Sequence, residues 1–135
     1  MKILKRFIII LFIIIVIVAV SFGMYGYTLY NEKIEEQPIA DKISDIQNGY
    51  YFVPIEDVPE DYINAIIAVE DHRYYDHGAI DIIGIGRAVL TNITSGELRE
   101  GGSTITQQVA KNLYFVEEDT VVRRKLAEMF MAIEL

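Results

Sequence analysis

The chain has 135 residues, 52% of them apolar, with 20 Asp and Glu against 12 Lys and Arg and no cysteine. This length leaves room for one domain at most, and the missing cysteines exclude a disulfide framework or a thiolate metal site. Lys2, Lys5 and Arg6 are the first charges; after Arg6, nine Lys and Arg face all twenty acids, a net of −11. So acidic a remainder argues against nucleic acid as a partner, because phosphates require a basic footprint.

No residue from Phe7 to Tyr30 is charged, and Phe7 to Val20 is almost entirely Ile, Val, Leu and Phe. As a helix, this stretch crosses a hydrocarbon core of about 30 Å with some tilt. The basic residues before it and Glu32, Glu35 and Glu36 after it favour an N-inside orientation. Tyr25, Tyr27 and Tyr30 stand where an aromatic belt meets the outer headgroups. A cleaved signal peptide is the competing reading, but Ala19, Ser21 and Gly23 do not form an A-x-A site. The expectation is a cytoplasmic tail at 1–6, a transmembrane anchor at 7–30 and a stalk or short helix at 31–49. Residues 50–135 then form a domain outside the cytoplasmic membrane.

The outer part reads as mainly α. Tyr50 to Ile55 (Y-Y-F-V-P-I) is rich in β-formers and predicts a brief strand or docking segment stopped by Pro54. From Pro59 the apolar spacing turns helical, with Ile63, Ile66 and Ile67 leading to Glu70 at the helix end. Asp81 can cap a second helix through Ile82, Ile85, Ala88 and Val89, stopped near Thr94 to Gly96. After Gly101-Gly102, Thr104 and Gln107 have capping-box spacing and open a third helix. Its Ile105, Val109 and Leu113 form the expected inward stripe, with Gln108, Lys111 and Asn112 towards the other side. A fourth helix follows the acidic loop, with Leu126, Met129, Phe130 and Ile133 expected to face inward.

Three polar clusters interrupt this pattern. Glu70-Asp71-His72-Arg73-Tyr74-Tyr75-Asp76-His77 places a carboxylate at the end of an apolar helix, where partial desolvation suits a general base. A solvated helix end has the same composition. His72 and His77 suggest a metal, but no third ligand has zinc spacing. Gly101 to Gln108 (G-G-S-T-I-T-Q-Q) presents backbone N–H groups and hydroxyls to an anion, with Lys111 two turns on. An ordinary capped helix shares that form, and the lysine is too far from the glycines for a nucleotide P-loop. In Arg123-Arg124-Lys125-Leu126-Ala127-Glu128, three cations open a helix against its dipole. Arg124 and Glu128 are an i, i+4 pair in the weaker order, so an anionic ligand or a solvated basic face explains the cations better than a surface bridge.

Together, in this order and spacing, the clusters resemble glycosyltransferase family 51, the peptidoglycan glycosyltransferase domain of penicillin-binding proteins and monofunctional transglycosylases. The family's first motif, E-D-x-x-F-x-x-H-x-G, is similar to Glu70 to Ala79; its second, G-x-S-T-I-T-Q-Q-x-x-K-N, to Gly101 to Asn112; its third, R-K-x-x-E, to Arg124 to Glu128. The resemblance covers about Tyr50 to Leu135. It implies a lysozyme-like fold and a reaction that polymerises lipid II into glycan strands, releasing polyprenyl pyrophosphate with inversion. It implies Glu70 as the base acting on the acceptor 4-hydroxyl and Glu128 as a second essential glutamate near the pyrophosphate, with Mg or Mn as a candidate cation there. Asp71, His77, Ser103, Thr104, Gln107, Gln108, Lys111, Asn112, Arg124 and Lys125 match the substrate-binding positions. Implied partners are lipid II, the growing strand, the bilayer and other cell-wall synthesis proteins.

The chain departs from the family pattern in places. Tyr74 stands for Phe, and Ala79 stands for the first motif's final Gly, which strains the backbone if a positive φ is needed there. The loop from Asn112 to Arg124 is about one residue longer than the family pattern and acidic, and the chain reaches Leu135 before two further family motifs. An inactive membrane-anchored remnant or interaction module is therefore the alternative to a polymerase. A lytic transglycosylase, which shares the fold and a key glutamate, is disfavoured by the match through Gly101 to Asn112.

Overall fold

The computed structural model describes residues 2–97 and 101–135. Met1, in the expected cytoplasmic tail, and residues 98–100, in the expected outer domain, lie outside it. Helix α1 spans Lys2–Glu36, α2 Ile39–Gln47, α3 Glu60–Glu70, α4 Ile82–Ser95, α5 Ile105–Tyr114 and α6 Val121–Glu134, with one 3-10 turn at Ile55–Asp57. No strand occurs among the described residues.

Helix α1 is long and apolar enough to cross a membrane. It does not end with the apolar run but continues through residue 36, so the segment read as a stalk consists of its last turns followed by α2. Pro38 at the N-cap of α2 separates the two helices. Proline lacks the N–H an uninterrupted helix needs, yet its fixed φ suits a helix start.

The core lies where the C-terminal end of α1 meets α5 and α6. Leu29, Ala110, Phe115, Ala127, Met131 and Ala132 are buried there, with Tyr30, Ile34, Ile39, Ala79 and Tyr114 packed around them. Phe115 and Met131 are fully enclosed. The Tyr114 hydroxyl donates to the Gln37 carbonyl at 3.1 Å, tying α5 to the α1–α2 corner.

Three sequence expectations change in three dimensions. Tyr50 to Ile55 is a turn and coil, with Tyr50 93% and Tyr51 89% exposed; a lone extended segment with no second strand to pair its backbone gains nothing from becoming one. On α5 the buried residues are Gln107 and Ala110, while Val109 is exposed. On α6 they are Ala127, Glu128, Met131 and Ala132, while Ile133 is 66% exposed. Both inward faces are rotated from the apolar stripes towards the cluster that Ala110, Ala127 and Ala132 share with Leu29, Phe115 and Met131. Ala79, by contrast, carries no strain: among the described residues the positive φ belongs to Gly96, the left-handed cap that ends α4.

Phe115 fills the centre of this cluster at 0% exposure. Phe115→Ala is expected to lower stability by about 3–5 kcal/mol, read as an earlier thermal melt in detergent; an unchanged melt contradicts this placement of the core.

Candidate active site

The site is assembled by the start of α5. Thr104 is its N-cap and forms the capping box foreseen from the sequence: its Oγ1 accepts from the Gln107 N–H at 3.1 Å, and the Gln107 Oε1 accepts from the Thr104 N–H at 2.9 Å. The Thr104 hydroxyl also donates to the Ala79 carbonyl at 2.7 Å, holding the loop after α3 against the helix start. Thr104 and Gln107 are 1% and 3% exposed. Both were expected among the substrate contacts; here the Thr104 hydroxyl and the Gln107 Oε1 serve the cap.

Asp71, immediately after α3, makes the second tie. Its Oδ2 accepts from the Ile105 N–H at 3.1 Å, so a carboxylate meets the free amides at the positive end of α5. Its Oδ1 lies 2.7 Å from His77 Nε2, and His77 Nδ1 faces the Gly78 carbonyl at 2.5 Å. Both ring nitrogens thus face acceptors, which suits the imidazolium. Burial pulls the His77 pKa down, but the Asp71 hydrogen bond, the Gly78 carbonyl and the charges of Asp71 and Asp81 outweigh it and hold the value above the ordinary 6.5.

Asp81, at the N-cap of α4, completes the buried cluster and pairs with Arg73 Nε at 3.2 Å. The backbone of Gly84 lowers its pKa most, against burial, with help from Arg73 and His77. A Cβ at Gly84 would stand 2.5 Å from the Asp81 Oδ2, so the carboxylate sits where a side chain is absent. Donor atoms of Asp71, His77 and Asp81 lie within 4.8 Å of one another. Protein groups already engage them, so the cluster braces the loop rather than presenting an open coordination sphere. His72 accepts from Arg87 Nη1 at 2.9 Å, apart from the partners of His77, so the two histidines do not form one site.

Glu70 ends α3 and is exposed, so burial does not supply the desolvation expected from its place on an apolar helix. Its Oε2 accepts from Gln108 Nε2 at 3.0 Å. That bond orients the carboxylate and spans the first and second motifs. A narrow cleft beside it is lined by Glu70, His72, Arg87, Gly102 and Ser103 among others.

On the other flank, Lys125 Nζ donates to Ser103 Oγ at 2.9 Å and to Glu128 Oε2 at 2.7 Å. Arg124 Nε lies 3.2 Å from Glu128 Oε1 and its Nη1 donates to the Glu118 carbonyl at 3.0 Å. Glu128 is 0% exposed. A wholly buried carboxylate is tolerable only when paired, so the i, i+4 order that is weak on a surface is enforced here by burial. Both oxygens lie near cations, but Oε1 accepts no hydrogen bond, so one buried carboxylate oxygen remains where a divalent cation was expected. Lys111 is half-buried on α5, and Asn112 lines a separate hollow with Lys33, Lys42 and Glu117. Among the described residues, neither hydrogen-bonds the groups around Ser103.

A family model described as Transglycosylase matches residues 36–135. The chain belongs to that family. The match includes α2 and begins in the last turn of α1, and the helices after it are those of the family's lysozyme-like fold. The transglycosylase chain is 52% identical over 73 residues to Penicillin-binding protein 1A of Neisseria lactamica, covering 54% of this chain and 9% of that protein. It is 44% identical over 90 residues to Penicillin-binding protein 1A of Aquifex aeolicus (strain VF5), covering 67% and 12%. For the Haemophilus influenzae protein of the same name the values are 43% over 83 residues, 62% and 10%. The chain therefore spans about a tenth of the length of these relatives.

Arg73, Asp81 and Arg87 escaped the sequence reading as members of the transglycosylase site region. Asp81 was legible as a helix cap, but its pairing with Arg73 depends on the loop's path and has no signal in spacing.

A raised His77 value means that the folded protein retains a proton the unfolded chain releases. Its stabilisation is complete below about pH 6.5 and is lost as pH rises through the higher folded value. Thermal melts taken from about pH 6 to about pH 9 are expected to fall with pH more steeply than those of His77→Gln. Parallel profiles would show that the Asp71–His77 pair contributes nothing of this kind.

Proposed function

We propose that this chain carries the peptidoglycan glycosyltransferase activity of a penicillin-binding protein, joining lipid II units into glycan strands and releasing polyprenyl pyrophosphate. The observation that supports it most is the arrangement about one helix start: an acceptor-side carboxylate, Glu70, held by Gln108, and a donor-side group of Ser103, Lys125 and Arg124 on Glu128. The membrane helix, the family and the relatives agree with it.

In this reading Glu70 takes the proton from the acceptor sugar's 4-hydroxyl as that oxygen attacks the donor's anomeric carbon. The bond to the pyrophosphate breaks on the opposite face, giving inversion. Negative charge grows on the leaving pyrophosphate, and the Lys125 ammonium and Arg124 guanidinium stabilise it more in the transition state than before it. Glu128 holds these two side chains in place, so that little reorganisation is needed when charge develops. Gln108 keeps the Glu70 carboxylate aimed, and the exposure of Glu70 leaves room for the acceptor. The acidic net charge is no obstacle, since local cations govern the field at the site. No step is assigned to a divalent cation.

The basic residues before the apolar run and the acids after it support an N-terminus inside the cytoplasmic membrane and the domain on its outer face. Lipid II and the growing strand are then both presented at that surface.

The test is polymerisation of lipid II by the purified full-length protein. Glu70→Gln is expected to lower the rate by roughly a hundredfold to ten-thousandfold with an unchanged thermal melt. Wild-type-like polymer from the variant removes Glu70 as the base, and no polymer from the native protein favours a membrane-anchored interaction module instead.

A further inference from the structure

The apolar run does more than anchor. Its outer end is built into the domain's core, and the contact between α1 and α6 is the most extensive between any two helices. Gly26 and Leu29 are the buried residues of α1. At Gly26 the two backbones approach so closely that an added Cβ would overlap the Leu126 Cβ and stand 3.0 Å from the Leu126 carbonyl carbon and 3.1 Å from the Ala127 nitrogen. Backbone atoms cannot swing aside as a flexible side chain can, so any side chain at residue 26 must displace α6 as a body.

Further contacts hold this register. Tyr27 and Phe130 meet edge to face with ring centroids 5.5 Å apart, the Tyr30 hydroxyl donates to the Glu134 carboxylate, and the Arg123 guanidinium lies 5.5 Å from the Tyr25 ring. Arg123 also lies 3.7 Å from the Glu32 carboxylate. Of the three cations that open α6, one is thus turned to the membrane helix and two to Glu128.

Displacement of α6 reaches the site directly. Glu128 follows Ala127 in the chain, both are 0% exposed, and Lys125 lies one residue before Leu126 with its Nζ on Ser103. We propose that Gly26 is a positioning residue of the transferase site, through which the membrane helix sets where α6 holds Lys125, Arg124 and Glu128. This rests on the transferase reading above. The contact also fixes height. Phe7 to Met24 gives about 27 Å of helix, enough to fill the hydrocarbon core, and Gly26 lies two residues further on. Helix α6 is therefore seated at the level of the headgroups, where the pyrophosphate of a membrane-borne substrate lies.

The test uses the full-length protein in liposomes containing lipid II. Gly26→Ala and Gly26→Val are expected to lower kcat progressively, the valine by on the order of tenfold to a hundredfold. KM should be unchanged, because the displaced cations act on charge that develops in the transition state. Gly23→Val is the control, since a Cβ at Gly23 meets nothing within 4 Å; its kcat should match the native protein. Native kcat in Gly26→Val overturns the proposal, as does activity lost only in proportion to folded protein in both Gly26 variants.

A second readout does not depend on turnover. The chain has no cysteine, so Tyr27→Cys with Phe130→Cys gives a single pair for bridging by a short thiol-reactive cross-linker. Bridging is expected with Gly26 present and should be lost when Gly26→Val is added; bridging that survives overturns the displacement of α6. If the double-cysteine protein with Gly26 intact bridges but the native protein makes no polymer, the transferase reading is overturned, and the catalytic role of Gly26 with it, while the α1–α6 contact stands.

Discussion

One buried carboxylate holds the first two motifs together. Asp71 follows the helix that carries Glu70, and it accepts the Ile105 amide from the helix that carries Gln108. That bond and the Thr104–Ala79 hydrogen bond set the end of α3 beside the start of α5, where the Glu70–Gln108 contact forms. The Asp71 bond is strong for two reasons: an ionised acceptor, and a donor at the positive end of a helix. His77 then balances the charge that burial would otherwise penalise. The histidine is thereby a brace for Asp71, with Asp81 and Arg73 continuing the network to α4.

The cations of α6 follow a different logic. Three adjacent cations at the start of α6 oppose the helix dipole, and the fold distributes them. Arg123 leaves for α1, while Arg124 and Lys125 close on Glu128. One carboxylate between two cations leaves the group with a net positive charge, directed towards the Ser103 hydroxyl and the open side of the α5 start. An acidic protein can thus present a cationic site, because the field at short range is set by a few fixed groups.

The same helix that faces Ser103 packs on the membrane span at Gly26, with Leu126 and Phe130 against it. Anchor and site are therefore one mechanical unit, and the usual division into a tether and a soluble domain does not describe this chain. The residues between the apolar run and residue 50 are helical and belong to that unit, with Ile34 and Ile39 packed on the core and the Gln37 carbonyl bonded to Tyr114.

What the sequence by itself determined was local or carried by motif. The α5 capping box was legible because Thr104 and Gln107 are three residues apart and complete each other's bonds. The membrane helix was legible because lipid demands only a long uncharged run, and the family because three motifs keep their order. Tertiary structure decided the rest. The buried faces of α5 and α6 are set by the cluster that holds Ala110, Ala127 and Ala132 and by Gly26, 101 residues before Ala127 in the chain, not by the larger apolar stripes. The sorting of Arg123, Arg124 and Lys125, the exposure of Glu70 and the unstrained Ala79 likewise depend on partners from other elements. Short-range hydrogen bonding is written in residue spacing. Which face of a helix is buried depends on the volume and charge of whatever is brought against it, and no local pattern contains that.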